Sequence, residues 1–248
     1  MEDTPGRRRR GLHLSLALVL SLAAGVRTAS YIELRGGPLL YMHHWTESDM
    51  HFFRDWARGI AAGDYLSVDS GKPAHSWHDN FAREVHEMTG STEPYGPDYR
   101  RRLWDRWLGA PRFYQDPLYP YLLAAEIGTI GDRPAAVVAA QMLLGVASAG
   151  LAWFIALELF GPGAALAAGL LAALFGPSLL FEVLLLRTSA ITFLGLAVTA
   201  AALLALREGA SRGWLVAAGA LSGLSVLLKS SALLVTGALL AIVIWRHR

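Results

Sequence analysis

The residues able to do chemistry in this chain are acids and fixed cations set at the edges of apolar segments. Glu47 and Asp49 lie in HWTESDMHFFRDWARGI, His44 to Ile60; Glu182 and Arg187 lie in FEVLLLRTS; Lys229 interrupts GALSGLSVLLKSSALL. A carboxylate can take the proton from a hydroxyl that is too weak a nucleophile unassisted. Arginine and lysine can stabilise the charge that builds on a departing phosphate. No cysteine is present, so thiolate chemistry and a disulfide scaffold are excluded.

The segment from His44 to Ile60 must hold the first of these acids. Read as a helix, it puts Phe52, Phe53, Trp56, Ala57 and Ile60 on one face at spacings of three and four, with Asp49 on the same side one turn earlier. An aromatic-rich face flanked by Arg54, Asp55 and Arg58 suits a helix lying at a bilayer surface. Thr46 and Asp49 also fit a T-x-x-D capping box, in which Asp49 would only satisfy backbone amides.

Hydrophobic residues make up 54% of the 248, and they are concentrated in the first thirty residues and after Pro134. The pattern predicts an all-α, multispanning membrane protein with one large extramembrane loop. The net charge of +2, with no basic stripe on a soluble domain, argues against nucleic-acid binding. Four consecutive arginines, 7–10, precede the apolar run from Gly11 to Val26 and put the N-terminus in the cytoplasm. No A-x-A cleavage site follows that run, which favours an uncleaved first span, 11–30, over a signal peptide.

The loop, 31–133, carries two further amphipathic stretches, HSWHDNFAREVHEM and RRRLWDRWL; in the second, Leu103, Trp104, Trp107 and Leu108 form a stripe that reads as interfacial anchoring. In QDPLYPY, Pro117 and Pro120 make Tyr114 to Tyr119 a stiff, extended segment, followed by a short apolar helix over Leu118 to Ile130. Residues 134–248 form a bundle of about five spans: Pro134 to Phe160, Ala164 to about Leu180, Ala190 to Leu206, and two short spans within Trp214 to Trp245. A single helix over that last stretch would place Lys229 near mid-membrane at a cost of roughly 2.5–3.5 kcal/mol. Six spans result in all, with both termini inside and the arginines of REGASRG, 207–213, in the cytoplasm. The setting is the bacterial inner, or plasma, membrane.

This topology gathers Asp49, Glu182, Arg187, Lys229 and QDPLYPY on the outer side. A carboxylate with two fixed cations at the outer leaflet is the equipment for transferring a sugar from a lipid phosphate. The order of segments, TESDMHFFRDWARGIAAGD, then QDPLYPYLL, then FEVLLLRTS and GALSGLSVLLKSSALL, resembles the GT-C superfamily of membrane glycosyltransferases, which includes the protein mannosyltransferases and the aminoarabinose lipid A transferases. The resemblance runs from about Gly11 to Trp245 and rests on that order more than on any one motif.

What the resemblance implies is a catalytic acid in the first extracytoplasmic loop, a polyprenyl-phosphate sugar as donor, a protein, lipid or glycan hydroxyl as acceptor, and inversion at the anomeric carbon. Asp49 matches the acid, with Glu47 the weaker candidate; Arg187 and Lys229 match phosphate contacts, and Gln115, Tyr119 and Glu182 further substrate contacts. Asp116 stands where similar proteins usually carry an uncharged residue. Such proteins also continue through several more spans, which marks this chain as a truncated product or a shared N-terminal module. Structural roles compete at each position: Glu182 can pair with Arg187, and Lys229 can mark the end of a span. His43, His44 and His51 surround Asp49, with His75, His78 and His86 further on, but no pair has a decisive metal-ligand spacing, and neither metal nor cofactor is assigned. A flippase for a lipid-linked intermediate and a non-catalytic scaffold subunit are the alternative readings; no internal repeat supports the first.

Overall fold

A computed structural model describes residues 5–108 and 112–246 of the chain. It is all-α, with no strand among the described residues. The chain forms two compact units, one from Met1–Leu39 with Ala135–Arg248, the other from Leu40–Pro134.

The first unit is a bundle of apolar helices: α1, Pro5–Leu34; α6, Pro134–Phe160; α7, Pro162–Ala173; α8, Gly176–Val183; α9, Thr188–Ala205; α10, Arg212–Leu228; and α11, Ala232–Arg246. Three are long and apolar enough to cross a bilayer, Arg9–Leu34 within α1, α6 and α9; α7 with α8 makes a fourth if the bent pair is one span, and α10 and α11 are shorter apolar helices. Small residues let the backbones approach, as membrane packing requires in the absence of a hydrophobic drive between helices. Val19 and Ala23 of α1, Ala149 and Trp153 of α6, and Ala165 and Ala173 of α7 form one such core. The Trp153 indole donates to Ser15 Oγ at 3.2 Å. Leu143, Leu171 and Leu234 stay exposed at 70%, 74% and 81%, on surfaces suited to lipid.

The span expected from Ala164 to Leu180 is broken. α7 stops at Ala173, and α8 leaves at an angle of 45°. The cause lies in Gly176 and Pro177, because a proline ring cannot donate to, and clashes with, the carbonyl four residues back. The two short helices over Trp214–Trp245 are observed, and they part at Lys229–Ser231.

The second unit holds a 3₁₀ helix, Pro38–His44, that leads into it, and four helices: α2, Asp49–Ala61; α3, Ser76–Met88; α4, Pro97–Trp107; and α5, Leu118–Ile130. α2 thus begins five residues later than His44. Its apolar face is as expected, with Phe52, Phe53, Trp56, Ala57 and Ile60 all buried. The face packs within the unit instead of facing lipid: Phe53 meets the Tyr119 ring of α5 edge-on at 5.4 Å. Arg54, expected at the water side, is buried and pairs with Asp132 at 2.8 Å, while Arg58 reaches the other Asp132 oxygen at 2.7 Å. One carboxylate after α5 therefore ties down two successive turns of α2.

α5 starts at Leu118, so Leu118 and Tyr119 are helical, not extended; Pro120 falls in the first turn, where its missing N–H is not needed. In the stripe of α4, Leu103 and Trp104 are buried, and Trp104 meets His78 and Phe81 of α3. That ring is a core residue, not an interfacial anchor, whereas Trp107 and Leu108 are exposed.

Candidate active site

Asp49 is the first residue of α2. The helix is capped by Ser48, in extended conformation, whose Oγ accepts from the His51 amide at 3.1 Å. The expected Thr46 capping box therefore does not form, and the Asp49 carboxylate is released from it. Asp49 is exposed and has no hydrogen-bond or ion-pair partner among the described residues.

Its neighbours differ. Glu47 accepts from the amide and the hydroxyl of Ser76 at 2.8 and 3.0 Å, which fastens the approach to α2 onto the start of α3. Asp64 accepts from the amides of Val68, Asp69 and Ser70 and from Ser70 Oγ. Desolvation acts to raise its pKa, but these bonds outweigh it and hold the carboxyl below the usual carboxylate range. Asp79 binds Arg83, Arg100 and the Tyr95 hydroxyl. Asp105 accepts from the Tyr114 hydroxyl, and Asp132 binds two arginines. Asp49 is not committed in this way, and neither are the exposed Asp55, Glu84, Glu87 and Asp98.

The histidines near Asp49 serve packing. His43 is buried and tilted against His44 at 4.1 Å between centroids, and burial, reinforced by Arg54, lowers its pKa to about 4. The His51 ring hydrogen-bonds the His43 carbonyl at 3.1 Å. Among the described residues no group of three or more His, Cys, Asp or Glu converges as a metal site. Tyr119 is 3% exposed, inside the contact between α2 and α5, while Gln115 and Asp116 are half-buried in the segment before α5.

In the bundle, Glu182 does not take up the alternative pairing with Arg187. Glu182, 2% exposed, is met by Arg27 of α1: Nη2 lies 2.8 Å from Oε1, and Nε 2.8 Å from Oε2. Gln141 of α6 donates to the carbonyls of Glu182 and Leu184 at 2.9 and 2.7 Å. Gly145 lies against this pair, and a Cβ there would overlap the Glu182 carboxylate and Arg27 Nε. A cavity of about 380 Å³ opens beside the network, lined by Arg27, Ser148, Ser178, Glu182, Ser189 and Thr192 among others.

Arg187 sits at the start of α9, and its guanidinium reaches the Leu228 carbonyl at 3.5 Å. Lys229 is the next residue, at the C-terminal end of α10, where it lines a cavity of about 270 Å³ with Ser225, Ser231 and Thr236. The two expected phosphate contacts therefore lie on adjoining stretches of backbone. The opposite end of the bundle is marked by Glu158 near the end of α6, which pairs with Arg207 at 2.5 Å. Arg27, Gln141, Glu182, Arg187 and Lys229 thus share one end, and Glu158 and Arg207 the other.

Sequence reasoning missed Arg27 and Gln141. Both were visible as polar residues within apolar helices, where a buried partner is the rule.

Neither a curated protein nor a solved structure matches the chain. The family model for dolichyl-phosphate-mannose-protein mannosyltransferase matches residues 114–248. The matched residues include QDPLYPY, Glu182, Arg187 and Lys229, while Asp49 lies before them. The match covers just over half of the chain, which belongs to this family and is an integral membrane glycosyltransferase of the GT-C type.

Proposed function

We propose that the protein transfers a sugar from a polyprenyl-phosphate donor to a hydroxyl of a polypeptide acceptor, with inversion, and that Asp49 is the general base. The observation that carries this reading is an exposed, unpaired acid at the first residue of α2, where the resemblance to the membrane glycosyltransferases expects the base. Glu47, Asp64, Asp79 and Asp132 are each tied to several donors, and Asp105 holds a tyrosine hydroxyl. Asp49 is exposed and unpaired among the described residues, at the first residue of α2. An uncommitted carboxylate is what deprotonation of a weak nucleophile needs.

Arg187 and Lys229 are assigned to the donor phosphate, where fixed positive charge favours its departure with the bond electrons. Their adjoining positions support a shared role. The wider topology, six spans with both termini in the cytoplasm of a bacterial inner membrane, belongs to the same proposal. It is supported by the separation of the two polar ends of the bundle and by the short pair α10 and α11.

Asp49→Asn tests the assignment. The expected outcome is loss of sugar transfer with an unchanged yield of folded, detergent-extracted protein. Full transfer by that variant rules Asp49 out as the base.

A further inference from the structure

Within the Leu40–Pro134 unit, a cleft of about 320 Å³ opens between the segment 68–74, the start of α3 and one side of α4. Its walls combine Pro73, Pro97 and Trp104 with the cations Lys72, Arg100 and Arg101 and the acids Asp69 and Asp79. Two of these charges cancel structurally, because Arg100 holds Asp79 at 2.5 Å. Arg101 is exposed and has no ion-pair partner among the described residues. The amide at the start of α3 is already taken by Glu47, so a cation, not the helix end, is the available anchor for negative charge.

A second observation points to an occupant. His75 lines the same cleft and is 7% exposed, yet neither ring nitrogen has a hydrogen-bond partner; the ring lies near the His78 amide without reaching bonding geometry. Leaving a buried polar group unsatisfied costs about 1–3 kcal/mol, so such groups are normally matched by protein, water or ligand. An imidazole can offer either a donor or an acceptor there, which suits a peptide main chain. His78, stacked on His75 at 5.3 Å, has its pKa lowered to about 4 by burial and then by His75, so it adds no competing charge near neutrality.

From these features we infer that the cleft binds an acceptor polypeptide in extended form, with an acidic side chain on Arg101, a main-chain group on His75, and an apolar residue against Pro73, Pro97 and Trp104. This inference rests on the proposal that the acceptor is a polypeptide hydroxyl. It makes the cleft a selector of acceptors, separate from the proton-transfer step at Asp49.

The test uses full-length protein in detergent and in vesicles, with synthetic serine- and threonine-containing peptides that differ only in carrying Glu, Gln or Lys near the hydroxyl. Wild type is expected to show a lower KM for the Glu peptide than for the Gln peptide, and the highest KM for the Lys peptide. Arg101→Glu should reverse the Glu–Lys order, each KM moving about fivefold, the scale of one exposed ion pair. His75→Asn should raise KM for all three peptides alike and leave their order intact. Equal KM values for the three peptides in wild type, or an order unaffected by Arg101→Glu, would overturn the inference. So would an Arg101→Glu effect confined to binding of phosphatidylglycerol vesicles, which would make the cleft a lipid contact. If no peptide accepts sugar from wild type, the reading of a polypeptide acceptor fails, and the inference with it. If peptides accept sugar without regard to charge, only the inference fails.

Discussion

At the scale of single residues, the bundle depends on a charge pair whose partner was hidden by sequence distance. Arg27 and Glu182 are 3% and 2% exposed, and each is the other's principal counter-charge. Removing one partner leaves an uncompensated buried charge, which typically costs about 3–5 kcal/mol, whereas replacing both with apolar residues of similar volume is often nearly neutral. Arg27→Ala is therefore expected to lower thermal stability in detergent strongly, and Arg27→Met combined with Glu182→Leu to restore most of it. Equal damage from the single and the double change would show that the pair has a role beyond charge balance. The position of Asp49 ahead of the amphipathic face of α2 was legible in the sequence because that spacing is local. The partner of Glu182 was not legible, because Arg187 is nearer along the chain while Arg27 is nearer in space. Gly145, which leaves room for the pair against α6, likewise has a meaning only after folding.

At the scale of elements, periodicity gave the helices and punctuation gave their ends. The apolar faces of α2 and α3 follow directly from spacings of three and four, but what covers a face does not, and α2 covers its own with α5 where lipid had been expected. The bend between α7 and α8 was signalled by Gly176 and Pro177, whose effect was obscured by the hydrophobic run around them. Within the Leu40–Pro134 unit, His43 and His78 both have a pKa lowered from 6.5 to about 4. The folded unit therefore binds fewer protons than the unfolded chain across that interval, and its stability falls as pH drops from 6.5 toward about 4, with the full contribution retained above 6.5. Denaturant titrations followed by tryptophan fluorescence should show this loss, and His78→Gln should flatten part of the slope. A slope unchanged by that substitution would remove His78 from the cause.

At the scale of the whole molecule, the family match begins at Tyr114 and continues through the bundle, so the membership rests on the helices that carry Glu182, Arg187 and Lys229. The acid assigned to catalysis lies in the other unit, before the match begins, which is why Asp49→Asn is the informative substitution. The apolar helices were legible as a rhythm of apolar runs, while the grouping of polar residues at two ends needed coordinates.

Those two polar ends also act as a ruler. Gln141 and Glu158 lie on the same unbroken helix, α6, and their spacing of 17 residues corresponds to about 25 Å of rise. Under the proposed topology the protein is expected to prefer a hydrocarbon core thinner than the roughly 30 Å of an average bilayer. Transfer rates in vesicles built from a graded series of acyl-chain lengths are expected to peak on the short side of that average. A peak displaced to thicker membranes would mean that Glu158 and Arg207 enter the hydrocarbon as a closed pair, carrying their neutralised charge with them.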